Sequence, residues 1–220
     1  MLTVYIVRHG QTDHNMRGIV QGHLNTSLNA TGRAQGESLA KRLQEEGVHF
    51  DFAFTSDLDR ASETALAIVQ KQGNGLALQL EAGLRERDLG DLEGTKGPIR
   101  RPYPANMETS EALGKRCLAW WNGTIVPLAR EPGDKTAFVT SHSGYLQILF
   151  ERLVAEERHG GLGYAVKGQA LRQYPFHSFK NTCVTVIKVD EKGNGVVERY
   201  NDHAHLKEGT SKVESADVVA

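Results

Sequence analysis

The chain opens with an apolar, β-branched and aromatic run, Val4-Tyr5-Ile6-Val7, that leads straight into Arg8-His9-Gly10. A short run of this kind, bounded by charge and glycine, predicts a buried strand. The polar, glycine-containing residues that follow, to about Asn29, have no clear periodicity and read as a long loop. Thr31 caps a helix running to about Glu46, with Leu39 and Leu43 on one face and Gly47 closing it. Phe52-Ala53-Phe54-Thr55 predicts a second strand, and Ser56 opens an alanine-rich helix that ends near Gly73. Leu76 to Leu80 gives a third strand, followed by a charged, glycine-punctuated stretch from Leu84 to Gly94.

Lys96 to Met107 is irregular, with prolines at 98, 102 and 104. A long helix is predicted from about Thr109 to Ala129, disturbed at Gly123 and Pro127. Thr136 to Thr140 is a fourth strand running into Ser141-His142-Ser143-Gly144, after which Leu146, Leu149, Phe150, Leu153 and Val154 repeat at helical spacing. Glu156 to Lys180 reads as a long loop. Cys183 to Val189 and Val196 to Tyr200 flank Lys192-Gly193-Asn194-Gly195, the pattern of a β-hairpin. Strands alternating with helices, with no repeat and no linker, predict one layered α/β domain over residues 1–205. Residues 206–220 are polar and read as a frayed tail.

Composition narrows the functional classes. The 220 residues carry 26 lysines and arginines against 27 acids, so no global field favours nucleic acid or an anionic membrane. No apolar run approaches the roughly 20 residues of a membrane span, and no leader pattern is present at the start. Cys117 and Cys183 fall in separate elements and are expected to be reduced, buried thiols of a cytoplasmic protein. The expected partner is a small molecule.

Four points along the chain share one grammar: a strand or turn ends, and a cation, an imidazole or a carboxylate follows. They are Arg8-His9, Arg60, Glu86 and His142. In open α/β sheets the carboxyl ends of strands are where ligands bind. A phosphate ester needs positive donors around its oxygens, an in-line nucleophile and an acid for the leaving oxygen. Two arginine forks and one histidine can hold the phosphoryl group while the other histidine attacks, and Glu86 can supply the proton. Helix N-termini after His142 and near Arg60 are expected to add backbone donors. Glu86 lies among Arg85, Arg87 and Asp88, a run that also suits a solvated face, so a neighbouring acid could serve instead. His203 and His205 fall on one side of the last strand, but no third or fourth ligand accompanies them and no metal site is assigned.

These motifs resemble those of the histidine phosphatase superfamily, also called phosphoglycerate mutase-like. Arg8-His9-Gly10-Gln11-Thr12 with Asn15 is similar to its opening motif, and Gln21-Gly22 and Ser27-Leu28-Asn29-Ala30-Thr31-Gly32 to the steps that follow. Thr55 to Ala65, Leu84 to Gly94 and Thr140 to Gly144 resemble its later motifs, in family order and over nearly the whole chain. The resemblance implies a three-layer α/β/α sandwich around a mostly parallel sheet, with neither cofactor nor metal. It also implies that His9 is phosphorylated in turnover, that Arg8, Arg60 and His142 form the phosphate pocket, that Glu86 donates the proton, and that Asn15 adds a contact. Gln21, Gly22 and Ser143 are further substrate-binding candidates. Ser143 departs from the family, which commonly has glycine there, so a hydroxyl there could touch the phosphate or narrow the pocket.

Three functions compete: a phosphomonoesterase, a phosphoglycerate-type mutase, and an inactive module that binds phosphorylated ligands. The complete set Arg8, His9, Arg60, Glu86 and His142 argues against the last. The resemblance implies that mutases shield their phosphohistidine with a long, proline-rich insertion. The interval from Gly94 to Thr109 is short, which favours the phosphatase on a small phosphorylated metabolite. Lys96 and Arg100-Arg101 resemble the start of that insertion, and Trp120 to Pro127 looks mutase-like. Specificity is expected in Thr95 to Met107 and Glu156 to Lys180, which carry no readable motif.

Overall fold

A computed structural model describes residues 1–173 and 179–206. The tail expected from 206 onward lies, after its first residue, outside the described residues, as do positions 174–178 of the long loop.

Seven strands form the sheet: β1 (Leu2–Arg8), β2 (Phe52–Thr55), β3 (Leu78–Leu80), β4 (Lys135–Ser141), β5 (Ala165–Val166), β6 (Val184–Val189) and β7 (Gly195–Asp202). Their spatial order is β3-β2-β4-β1-β6-β7-β5. Neighbours from β3 to β1 are parallel, β6 runs antiparallel to both β1 and β7, and β5 is parallel to β7. The sheet is therefore mostly parallel, as expected.

Alternation along β1 divides the interior in two. Leu2, Val4 and Ile6 pack with Leu113, Cys117, Trp121, Leu146, Leu149 and Phe150. Those residues come from α4 (Ser110–Trp120), the turn after it and α6 (Ser143–Val154). Tyr5 and Val7 face the other way, onto Leu39 and Leu43 of α2 (Ala30–Glu45) and Ala65 and Ile68 of α3 (Asp59–Gln72). A strand buried on both faces has no polar side to show, which is why its sequence reads as a continuous apolar run. The result is three layers, with helices on both faces of the sheet. Both thiols are buried and unpaired.

Several boundaries differ from the sequence reading. The loop after His9 holds a short helix, α1 (Asp13–Arg17), because Thr12 and Asn15 form a reciprocal capping box and Gly18 closes the turn at φ +65°. Asn29, not Thr31, caps α2, its side chain accepting from the Gly32 amide at 2.9 Å. In α3 the helix opens at Asp59 rather than Ser56, whose hydroxyl instead accepts from the Leu58 amide. The disturbance predicted at Gly123 and Pro127 is a widened π turn over Trp121–Ile125, followed by α5 (Val126–Ala129). Pro127 has no N–H to close a regular turn, and the Val126 amide reaches back to Trp121 instead. The segment read as a loop from Glu156 contains β5 and two short 3₁₀ turns. Strand β7 ends at Asp202, so His203 and His205 lie beyond it, bonded separately to the Asn201 carbonyl and the Thr182 hydroxyl.

Candidate active site

The register of the central strands brings the two histidines together. Arg8 of β1 pairs with Ser141 of β4, and the His9 amide donates to the Ser141 carbonyl at 3.0 Å. His9 and His142 are each the next residue along, so two parallel strands deliver their imidazoles side by side, with ring centroids 5.1 Å apart. Both side chains are buried, as are Arg8, Arg60 and Glu86.

His9 Nδ1 lies 2.7 Å from the Gly10 carbonyl. A carbonyl only accepts, so Nδ1 carries the proton and Nε2 keeps its lone pair. Burial, followed by the charges of Arg60 and Arg8, holds His9 well below the usual imidazole pKa. The same causes, with His9 added, act on His142. Neither ring nitrogen of His142 has a hydrogen-bond partner among the described residues, and the same is true of the buried Ser143 hydroxyl and Asn15 Nδ2.

The guanidinium groups are aimed by carbonyls. Arg8 donates to the Phe179 carbonyl at 2.5 Å. Arg60 enters from the first turn of α3 and donates to the carbonyls of Leu24 and Gly22 at 2.7 and 2.8 Å. Gly22 thus contributes its carbonyl, and its φ of +49° favours glycine. A Cβ there would also lie 2.2 Å from the Glu93 carboxylate. Gln21 is buried beside it, its side-chain Oε1 accepting from the hydroxyls of Thr12 and Thr26.

Glu86 separates from its charged neighbours. Arg85 pairs with Asp57 at 2.5 Å, and Asp88 lies partly exposed, 3.8 Å from His23. Glu86 turns inward, where its carboxylate accepts from the amides of Arg87, Gly144 and Tyr145 at 2.8, 2.9 and 2.7 Å. This narrows one expectation: of the amides that open α6, those of Gly144 and Tyr145 are taken up by Glu86. At the start of α3, likewise, the Asp59 amide donates to Asn25.

Further residues tie these groups together or lie nearby. Thr64 accepts from the Gly10 amide and donates to the Arg60 carbonyl, tying the two motifs together. Asn181 donates to the His9 carbonyl at 2.9 Å and reaches Asn15 Oδ1 at 3.5 Å. The Thr182 amide donates to the Arg8 carbonyl. Arg101 lies over the Tyr103 ring, 5.3 Å from its centroid, and Lys96 pairs through its backbone with Ile19.

From residue 4 to residue 203 the chain matches the profile of the histidine phosphatase superfamily, branch 1. The protein belongs to that superfamily. It is similar to a probable phosphatase of Schizosaccharomyces pombe, 32% identical over 96% of this chain and 99% of the relative. A broad-specificity phosphatase of Saccharomyces cerevisiae is 29% identical over 95% of this chain and 89% of its own. Among solved structures, Bacillus stearothermophilus YhfR matches with a TM-score of 0.75 at 26% identity, over 94% of this chain and all (100%) of that one.

Proposed function

We propose that this protein is a phosphomonoesterase acting on small phosphorylated metabolites through a phosphohistidine, with residues 1–205 as its catalytic domain. The observation that carries the reading is the pair of buried imidazoles at the ends of β1 and β4, flanked by two buried guanidinium groups. His9 Nε2 attacks phosphorus as the bond from phosphorus to the ester oxygen breaks. Arg8, Arg60 and His142 hold the phosphoryl oxygens, with Asn15 Nδ2 and the Ser143 hydroxyl as further donors. Glu86, protonated, gives its proton to the leaving oxygen. Water then attacks the phosphohistidine, Glu86 takes the proton from that water, and the bond from phosphorus to nitrogen breaks to release phosphate. The phosphatase relatives support hydrolysis over mutase chemistry. Two buried free thiols and the absence, among the described residues, of a helix long and apolar enough to cross a membrane support a cytoplasmic location.

The test is a quench during turnover with a labelled phosphate ester. Acid-labile, alkali-stable label is expected on His9, and none in His9→Ala; label on another residue overturns the assignment. In parallel, incubation with 3-phosphoglycerate is expected to release phosphate. Rapid 2-phosphoglycerate formation with little free phosphate establishes the mutase instead.

A further inference from the structure

Glu86 stands on a stretch between two 3₁₀ turns, Ala82–Leu84 and Gly90–Leu92, with no strand or helix of its own to fix it. Beside the α6 amides on its carboxylate and His23 Nε2, 2.9 Å from its carbonyl, the largest set of bonds to this stretch comes from one residue of α4. Arg116 sends Nη1 to the carbonyls of Gly83 and Arg85, at 3.1 and 2.7 Å, and Nη2 to the carbonyl of Glu86 itself at 3.0 Å. Its Nε and its remaining Nη2 proton reach the two carboxylate oxygens of Glu108 at 3.0 and 2.7 Å. A guanidinium has five N–H donors, and five acceptors surround this one. None is left over for a ligand.

Three carbonyls turned toward one point repel one another unless a cation sits there, and only a planar fork meets three carbonyls and a carboxylate at once. Burial works against the Arg116 charge, but the Glu108 carboxylate more than offsets it and the pKa lies above the usual arginine value. Glu108 adds its own stitches, accepting from the Asp88 amide at its carboxylate and from Arg87 Nε at its carbonyl. The Arg116 guanidinium also lies over the ring of Tyr145, 5.5 Å from its centroid, and the Tyr145 amide is one of the three donors to the Glu86 carboxylate.

We infer that Arg116 is a positioning residue for proton transfer: by gathering the carbonyls of residues 83, 85 and 86 it sets where the Glu86 carboxyl group meets the leaving oxygen. This rests on Glu86 being the proton donor. It separates Arg116 from Arg8 and Arg60, whose proposed role is to hold the phosphoryl group.

The experiment compares an alkyl phosphate with a nitrophenyl phosphate, because only the first leaving group needs a proton in the transition state. Arg116→Met is expected to lower kcat about 10-fold on the alkyl ester, with KM within about 2-fold and the nitrophenyl ester nearly unaffected. Arg116→Lys, with three donors and no fork, is expected to recover part of the loss. Introducing Arg116→Met into Glu86→Gln is expected to cost nothing further on the alkyl ester. Equal losses on both esters, or a full additional loss in the Glu86→Gln background, overturn the inference. Failure of the underlying reading looks different: Glu86→Gln by itself then lowers both esters alike. Should Arg116→Met fail to fold in a thermal melt, Glu108→Gln, which removes only the counter-charge, is expected to give the same ester-selective loss at smaller size. Its absence there overturns the inference too.

Discussion

His9 and His142 stand on neighbouring strands at the centre of the sheet, whereas Glu86 stands on irregular chain outside it, and the two sides of the pocket are held by different bonds. On the histidine side the holding is done by register: Arg8 opposite Ser141, with the His9 amide on the Ser141 carbonyl. On the carboxylate side it is done by side chains reaching for backbone, Arg116 on three carbonyls, and by backbone reaching for a side chain, three amides on Glu86. A sheet spreads a disturbance over many ladder bonds. A loop held by a few side-chain bonds does not, so the carboxylate side is the one where single substitutions act selectively.

The largest expected effect lies on the histidine side. His142→Ala should lower kcat/KM by about 1000-fold on alkyl and nitrophenyl phosphates alike, since it removes a group that meets the phosphoryl oxygens whatever the leaving group. Glu86→Gln should cost about 100-fold on the alkyl ester and only a few-fold on the nitrophenyl ester. Steady-state kinetics on both esters check the contrast, and a Glu86→Gln loss that ignores the leaving group breaks it.

A smaller effect sharpens it. A Cβ on Gly144 would lie 2.7 Å from Glu86 Oε1, closer than carbon and oxygen approach, so Gly144→Ala must push the carboxylate aside. Misplacement of a catalytic group by about 1 Å can cost up to about 100-fold, and a loss of about 10-fold confined to alkyl esters is expected. Activity equal to wild type would show that the carboxylate has room to spare.

The pH dependence follows from the histidines. Both are held below 6.5, so both stay neutral as pH falls through the range where an ordinary imidazole gains its proton. Their C–H resonances in the free protein are expected to show no titration step near pH 6.5, as followed by NMR. For stability the sign is that of a depressed folded-state pKa. The contribution is complete above 6.5, the unfolded value, and is lost as pH falls from there toward the folded values, because the unfolded chain then binds the extra protons. The smallest effect is expected for Asn181→Ala, which removes the donor to the His9 carbonyl. About 1 kcal/mol should go, seen as a drop of about 2–4 °C in Tm.

What could be read from the sequence divides along the same line. The strand pattern of Val4 to Val7 and Thr136 to Thr140, each ending in a histidine step, announced the sheet and both imidazoles, because burial on two faces leaves a continuous apolar run. The sequence left Glu86 in competition with its neighbours, since only the fold pairs Arg85 with Asp57 and turns Glu86 inward. Arg116 was invisible: one cation in a mixed helix looks like any solvated residue, and its partners are backbone carbonyls, which every residue has. Asn181 was missed for the same reason, and Thr64, though inside the stretch Thr55 to Ala65, showed no role of its own because its partners too are backbone groups. Helix α1 was legible in principle from Thr12 and Asn15, three apart, but five residues are too few to show a period.

The order of the strands also bears on how the molecule is made. β1, which precedes every other strand along the chain, lies between β4 and β6, and the residues that bond the backbone of Arg8 and His9, Asn181 and Thr182, stand just ahead of β6. No early part of the chain can complete the pocket, because the first strand has to wait for nearly the last. During synthesis the N-terminal half therefore carries an exposed apolar strand with both edges open, the state in which nascent chains are most prone to pair wrongly. The site is whole only once β6 lies antiparallel beside β1 and brings its leading residues onto the backbone that carries His9.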